Sequence, residues 1–374
     1  MNGITLVVLC AGESSRFELS VKKQWIRIGD NPLWLQVTSR LASYANFDKV
    51  IVVGHKDELN YMENFSDDYV YVEGGNTRQQ SIVNALELTH SKFVMITDVA
   101  RCCVPQNIIE DLILNKDKAS SIVPILNVSD TVIYNNETIN RENVKIIQTP
   151  QLSNTNLLKE ATQGTLEFTD ESSAIKHFNG TVHYISGSKQ SEKLTFGDEI
   201  KNLSCFKKPS TDMFVGNGID IHQFEFNKQM ALGGVKITSD FGFKAHSDGD
   251  VLIHSVIDSL LGACGAGDIG EFFPDTDPQY ANADSKILLA FIVKFINNVG
   301  YKIVNIDLTI LAQKPKITPY KKIIQSTMAE LLHIEKSKIN IKATTAEKMG
   351  FVGREEGIVV LSSATMKYYN WMDK

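Results

Sequence analysis

The sequence has no long run of basic residues, no apolar stretch near the length of a membrane span, and no CxxC pair. Each absence argues against a class of protein. Basic residues number 38 against 44 acidic ones, a formal net charge of −6, so there is no electrostatic footprint for nucleic acid. No apolar run approaches the roughly 18 residues that a spanning helix needs, which argues against a helical membrane protein. The apolar stretch at residues 4–11 has no basic residue before it and runs straight into Gly12-Glu13-Ser14-Ser15-Arg16. It reads as a strand ending in a loop, not as an export signal. The five cysteines (Cys10, Cys102, Cys103, Cys205, Cys264) are odd in number and sparse. They imply reduced thiols, no disulfide framework and a cytoplasmic location.

What is present is a chain of 374 residues, 43% apolar and 22% charged, too long for one ordinary core and globular in composition. Two patterns meet near residue 208. Before it, short β-branched runs at 5–10, 49–53, 93–97 and 121–126 alternate with amphipathic stretches at 33–44, 78–88 and 107–114. That alternation predicts crossover connections and a parallel sheet covered on both faces. Residues 207–212, Lys-Lys-Pro-Ser-Thr-Asp, form a polar linker. Beyond it, strands are expected at 213–221, 304–312, 339–343 and 357–363, and helices at 251–266, 285–299 and 319–332. The expected division is 1–208 and 209–374, two α/β domains without internal repeats.

The first domain carries the elements of a phosphate site. The loop Ala11-Gly12-Glu13-Ser14-Ser15-Arg16 follows a buried strand and leads to Lys22-Lys23-Gln24. Small residues there let backbone N–H groups approach phosphate oxygens while cations balance the charge. A solvated turn would read the same from that loop alone. A second loop, Gly74-Gly75-Asn76-Thr77, opens a helix with Arg78 in its first turn and Ser81 behind it. Asp98 ends a strand where open α/β sheets collect ligands. A carboxylate there can hold Mg²⁺ between phosphates, with Arg101 in the same turn. A helix cap is the plainer alternative for Asp98.

Together with Asp130-Thr131, Arg141 ahead of Thr149-Pro150-Gln151, Thr169-Asp170-Glu171-Ser172-Ser173-Ala174 and Lys193-Leu194-Thr195, these motifs resemble the 2-C-methyl-D-erythritol 4-phosphate cytidylyltransferases. The resemblance implies a Rossmann-like nucleotidyltransferase domain with a mostly parallel sheet. It implies that Arg16, Lys23 and Lys193 contact the triphosphate and transition state, and that Asp98 binds Mg²⁺ and cytidine. It places Gly12, Gly75, Arg78, Ser81 and Arg101 in substrate binding. Thr131 and Arg141 would hold methylerythritol phosphate, Arg141 across a dimer. The chain departs from the family at Ser14, usually Gly, and at Lys22 and Cys102, both usually Pro.

The second domain carries a candidate metal cluster. Asp220 and His222 stand two apart on a strand and so share a face. Asp250, His254 and Asp258 recur at helical spacing. One Asp with two His is the three-ligand pattern of a catalytic Zn²⁺ site with an open fourth position. Surface histidines with a capping Asp are the plainer alternative. His246 reads as a substrate contact and His333 as a structural or surface residue.

Gly218-Ile219-Asp220-Ile221-His222, Ala245-His246-Ser247-Asp248-Gly249-Asp250 and Gly267-Asp268-Ile269-Gly270 resemble the 2-C-methyl-D-erythritol 2,4-cyclodiphosphate synthases. So do Phe273-Pro274-Asp275-Thr276-Asp277, Ala312-Gln313-Lys314-Pro315-Lys316, and the run from Lys342 to Gly357 that includes Thr345, Glu347, Phe351 and Arg354. The resemblance implies an α/β (α+β) trimer-forming domain in which Asp220, His222 and His254 bind Zn²⁺. His246 and Ser247 would touch substrate, Asp268 and Gly270 the ribose or erythritol, and Ala312 and Lys316 the cytosine. Thr345 would bind a phosphate, Glu347 a second divalent cation (Mg²⁺ or Mn²⁺), and Phe351 and Arg354 the substrate. Ala346 stands where that family often has Thr.

One chain carrying both activities is the reading these motifs support. It would use CTP, methylerythritol phosphate and a CDP-methylerythritol phosphate, with a separate kinase acting between the steps. Its expected assembly is a homo-oligomer with dimeric N-terminal and trimeric C-terminal contacts, combined in a hexamer. A different nucleotidyltransferase fused to a metal-dependent trimer, or a scaffold that only binds zinc and nucleotide, stand as alternatives.

Overall fold

A computed structural model of the chain describes residues 3–164, 166–203, 205–245, 248–274, 276–280 and 283–372. The chain forms two compact units, Met1–Lys208 with Trp371–Lys374, and Pro209–Asn370.

The first unit is built on β1 (Ile4–Leu9), β2 (Lys49–Gly54), β3 (Val70–Glu73), β4 (Phe93–Asp98), β5 (Ser121–Asn127), β6 (Lys145–Ile147), β7 (Gln151–Asn154) and β8 (Val182–Ser186). The sheet order is β6-β5-β7-β4-β1-β2-β3, with β8 beside β5. β1 pairs in parallel with β2 and β4, β2 with β3, and β5 with β8. Strand β7 runs antiparallel between β4 and β5, so the sheet is mostly, not wholly, parallel. Continuous apolar runs such as Ile4–Leu9 suit strands covered on both faces. The covering helices are α1 (Leu33–Ala42), α2 (Arg78–Glu87), α3 (Gln106–Leu114), α4 (Thr155–Thr162) and α5 (Glu171–His177). Val7, Ile51, Val53, Ile82, Leu86, Ile96, Leu158 and Ile175 close the core between sheet and helices. The loops after β1, β2, β3 and β4 therefore gather at the carboxyl end of the sheet.

Two expectations are corrected here. Cys103 and Cys205 form a disulfide across 102 residues of sequence, with Cα atoms 5.7 Å apart. The reading of five reduced thiols missed it because the fold brings the pair together, and no sequence spacing encodes that. The second domain was expected to run to residue 374, yet its unit ends at Asn370. Trp371 is buried in the first unit, where its Nε1 donates to the Arg27 carbonyl at 3.0 Å and its ring meets Phe206 edge-on at 6.0 Å.

The second unit holds β9 (Met213–Phe226), β10 (Phe241–Phe243), β11 (Tyr301–Leu311), β12 (Ile339–Thr344) and β13 (Gly357–Tyr368), ordered β10-β9-β13-β11-β12. Helices α6 (Val251–Cys264), α7 (Ser285–Asn298) and α8 (Lys321–Leu332) accompany it. α6 packs on β9 and β13. The approach is close because β9 has Gly216 and Gly218, where a Cβ would overlap the carbonyls of Ser259 and Ser255. That contact brings His254 on α6 beside Asp220 and His222 on β9. No described helix is long and apolar enough to cross a membrane.

The disulfide has a direct check. Thiol titration of the denatured, unreduced protein should find three thiols, from the buried Cys10, Cys102 and Cys264. Reductant should raise the count to all five, and five thiols without reductant would refute the pairing.

Candidate functional site

In the first unit a cavity of about 700 Å³ opens over the carboxyl ends of β1 and β4. Gly12, Arg16, Lys23, Gly75, Arg78, Ser81, Asp98 and Lys193 all line it, which brings together most of the residues expected there. α2 starts at its rim with Thr77 as cap, the hydroxyl accepting from the Gln80 N–H. Asp98 accepts from Arg78 Nε at 3.0 Å and from Lys193 Nζ at 2.7 Å. Burial alone would raise the Asp98 carboxyl, but Arg78 and Lys193 outweigh it and hold it well below the usual carboxylate range. Burial, helped by the neighbouring Lys193 and Arg16, pulls Lys23 down to about 8. Cations crowded this closely are poised for a polyanion.

The loop after β1 carries strain. Ser14 adopts a left-handed φ of 56°, which costs a non-glycine residue on the order of 1 kcal/mol. Ser14 Oγ donates to Gln24 Oε1 at 3.2 Å and accepts from the Lys23 N–H at 3.0 Å.

Three expected residues lie elsewhere. Arg101 does not line the cavity. It is buried and donates to Thr149 Oγ1, the Ser191 carbonyl and the Ile147 carbonyl, so it ties loops together. Thr131 and Arg141 are exposed, and Arg141 donates to the Ser129 carbonyl at 2.6 Å. They flank a short two-stranded arm, Val132–Tyr134 with Glu137–Ile139. One residue that sequence reasoning quoted but gave no role is Glu171, 2% exposed. It pairs with Arg78 Nη2 at 2.8 Å, beside the Nε that Asp98 takes.

In the second unit Asp220, His222 and His254 form a group whose candidate ligand atoms lie within 4.8 Å of one another. Asp220 Oδ2 is 3.1 Å from His222 Nδ1 and 3.2 Å from His254 Nδ1. Burial would raise Asp220, but the two imidazoles outweigh it and keep its carboxyl well below the usual range. Asp220 Oδ2 and His222 Nδ1 are buried without a hydrogen-bond partner among the described residues. One oxygen and two nitrogens drawn together in this way fit a divalent cation of the zinc kind.

A support for His254 escaped the sequence reading. Its Nε2 lies 2.9 Å from Ser285 Oγ, and Ser285 Oγ donates to Asp248 Oδ1 at 2.5 Å. A serine hydroxyl has one proton, and an ionised carboxylate only accepts. Nε2 must then donate to Ser285, which turns Nδ1 toward Asp220. The helical row of Asp250 and Asp258 does not join the cluster. Asp250 is 0% exposed; it caps α6 through Ile253 N–H and accepts from Gly233 and Gly234 N–H at 2.8 and 2.6 Å. Asp258 accepts from Ile269 N–H at 2.9 Å.

Six other expected residues, Ala312, Lys316, Thr345, Glu347, Phe351 and Arg354, stand next to strand ends on one side of that sheet. His222 pairs with Ile358, Leu311 with Val359, and Leu311 with Thr344, so the ends of β9, β13, β11 and β12 form one row. Ala312 and Lys316 follow β11, and Ala312 N–H donates to the Thr344 carbonyl at 3.1 Å. Thr345 follows β12 and donates to Glu347 Oε1 at 2.8 Å. Phe351 lies in the short helix Gly350–Gly353 before β13, and Arg354 pairs with Glu356 at 2.8 Å. Asp268 caps the short helix Ile269–Phe272 through the Gly270 and Glu271 N–H groups. His246 and Ser247 lie outside the described residues. His333, exposed, ends α8 in a left-handed turn.

Comparison with known proteins gives the family. The family model for 2-C-methyl-D-erythritol 4-phosphate cytidylyltransferase matches residues 4–203, and that of the YgbB family matches residues 213–367. A protein of Aliarcobacter butzleri named bifunctional enzyme IspD/IspF is 64% identical over 371 residues, covering 99% of each chain. One of Campylobacter lari with the same name is 48% identical over 372 residues, covering 100% of each. The solved structure of the bifunctional IspDF from Campylobacter jejuni is similar at a TM-score of 0.87 and 46% identity, covering 99% of this chain and 100% of that one. The chain belongs to the family of bifunctional IspD/IspF enzymes.

Proposed function

We infer that each unit catalyses one reaction of nonmevalonate isoprenoid precursor synthesis. The first transfers CMP from CTP to 2-C-methyl-D-erythritol 4-phosphate and releases pyrophosphate. The second cyclises 4-CDP-2-C-methyl-D-erythritol 2-phosphate to the 2,4-cyclodiphosphate and releases CMP. The carrying observation is that each unit gathers a chemically distinct group of its own: a cation-lined cavity around Asp98, and the Asp220–His222–His254 group.

In the first unit the 4-phosphate oxygen attacks the α-phosphorus of CTP, and the bond to pyrophosphate breaks. No side-chain nucleophile is required. Arg16, Lys23 and Lys193 hold the triphosphate and neutralise charge as it moves onto the leaving group. Arg78, fixed between Asp98 and Glu171, and Ser81 contact the nucleotide, while Gly12 and Gly75 let the backbone approach it. Thr131 and Arg141 receive the erythritol phosphate, Arg141 from a partner subunit. When bound at Asp98, Mg²⁺ or Mn²⁺ supplies further neutralisation of phosphate charge.

In the second unit the 2-phosphate oxygen attacks the β-phosphorus and CMP leaves. Zn²⁺ held by Asp220, His222 and His254, with a second divalent cation at Glu347, supplies polarisation of phosphate oxygens. His246, Ser247, Asp268 and Gly270 orient the sugar, Thr345 a phosphate, and Ala312, Lys316, Phe351 and Arg354 the nucleotide. The two reactions are not consecutive, so a kinase on another chain adds the 2-phosphate between them. The proposed assembly combines trimeric and dimeric contacts in a hexamer. Supporting it, Val215, Ile219 and Ile221 share one exposed face of β9, and Ile133 and Tyr134 stand exposed on the arm of the first unit. The proposed compartment is the cytoplasm, where nucleoside triphosphates such as CTP are made.

Two tests follow. Lys23 carries its charge below about pH 8 and loses it above. The value of kcat/KM for CTP, which reports groups of the free enzyme, should therefore fall as pH rises through that value. Lys23→Arg should hold its plateau to higher pH. Lys23→Ala should lose orders of magnitude in pyrophosphate release with CMP-releasing cyclisation intact. A pH profile identical in the wild type and the arginine variant would count against this role. For the second site, zinc affinity measured by chelator competition should collapse in His254→Ala, which leaves two ligands. It should fall about 10–100-fold in Ser285→Ala and stay unchanged in His333→Ala. Wild-type affinity in the His254 variant would show that the ligands are wrongly assigned.

A further inference from the structure

The strained loop of the first unit leans on a buried charge pair that the mechanism above does not use. Glu58 follows β2 and is 1% exposed at its side chain; Lys22, 6% exposed, pairs with it at 2.8 Å. A charge so buried is retained only when fully met by partners. Glu58 has them: Trp25 Nε1 donates to it at 2.6 Å and Gln24 Nε2 at 3.3 Å. Gln24 then reaches the loop. Its Nε2 donates to the Gly12 carbonyl at 3.1 Å, and its Oε1 accepts from Ser14 Oγ at 3.2 Å. Lys22 reaches it separately through Glu13 at 2.9 Å, and Glu13 also meets His55 at 2.7 Å. Burial would strip Lys22 of its proton, but Glu58 and Glu13 outweigh it and raise the ammonium above its ordinary value.

We propose that the Lys22–Glu58 pair, acting through Gln24, is a positioning device that holds Ser14 in its left-handed conformation and so sets the loop of residues 12–16 for the CTP triphosphate. It rests on the reading that this loop binds the triphosphate. The geometry connects two departures of the chain from its family, Ser14 and Lys22. A serine at φ 56° needs outside support where a glycine needs none, and Lys22 fixes the carboxylate on which that support rests. Lys22, Glu58 and Gln24 are positioning residues: none of their contacts described here is with a reacting atom.

The test is a double-mutant cycle on the full chain, with Glu58→Gln and Ser14→Gly made singly and together. Glu58→Gln keeps the side-chain shape and removes the charge facing Lys22. It should lower kcat/KM for CTP by about tenfold, as loop misplacement does. KM for methylerythritol phosphate and the rate of CMP-releasing cyclisation should stay within about twofold, a split that general destabilisation would not produce. In the Ser14→Gly background the same substitution should cost much less, because glycine holds the turn unaided. An equal loss in both backgrounds, or none in a folded Glu58→Gln protein, would overturn the proposal. Should Glu58→Gln fail to fold, Lys22→Met with Glu58→Gln removes both charges together and gives the same comparison. Arg16→Ala separates the two readings. If it weakens CTP use while the Glu58 variant does not, the positioning inference falls alone; if it has no effect, the loop reading falls and takes the inference with it.

Discussion

A carboxylate withdrawn from water must be met by positive charge or by N–H donors, and both sites of this chain are organised around that requirement. Asp98 is met by Arg78 and Lys193, Glu171 by Arg78, and Glu58 by Lys22. Asp220 lies against two imidazoles, and Asp250 is met by three backbone N–H groups. Asp98 sits where β4 ends and a loop begins, which is where a parallel sheet exposes its ligands. The architecture of both units follows from placing these groups before any ligand arrives.

The two units meet the requirement differently. The first meets Asp98 with two long cations from separate elements, Arg78 at the start of α2 and Lys193 in a later loop. The second relies on rigid backbone contact: Gly216 and Gly218 let α6 lie against β9, and that approach alone sets the distance from His254 to Asp220. Ser285 and Asp248 then choose which imidazole nitrogen faces inward. In the first unit Ser14 is met by hydrogen bonds from its surroundings, to Gln24 Oε1 and from the Lys23 N–H. In the second, Gly216 and Gly218 have no room for a side chain.

Much of this was legible in the sequence because the signals are local. The apolar runs of β1, β2, β4 and β5 and the spacing of Asp220 and His222 need no tertiary knowledge to read. What escaped depends on pairs far apart in the chain. Cys103 meets Cys205, Trp371 meets Phe206 and Arg27, Ser285 meets His254, and Glu58 meets Lys22, each across a separation that carries no periodicity. Arg101 stands next to Asp98 in sequence, yet its guanidinium turns to Thr149 Oγ1 and to the Ser191 and Ile147 carbonyls, contacts that no local pattern announces. Asp250 looked like part of a helical row toward the metal, but the same carboxylate is the α6 cap.

The central claim is that one chain carries two chemically distinct sites. The direct measurement follows both half-reactions on the purified full chain: pyrophosphate release from each nucleoside triphosphate with methylerythritol phosphate, and CMP release from the CDP-linked 2-phosphate. The account predicts that both activities travel with the same polypeptide, and that CTP is strongly preferred over ATP, GTP and UTP. Absence of either activity from a folded, metal-loaded chain, or equal use of another nucleoside triphosphate, would contradict it.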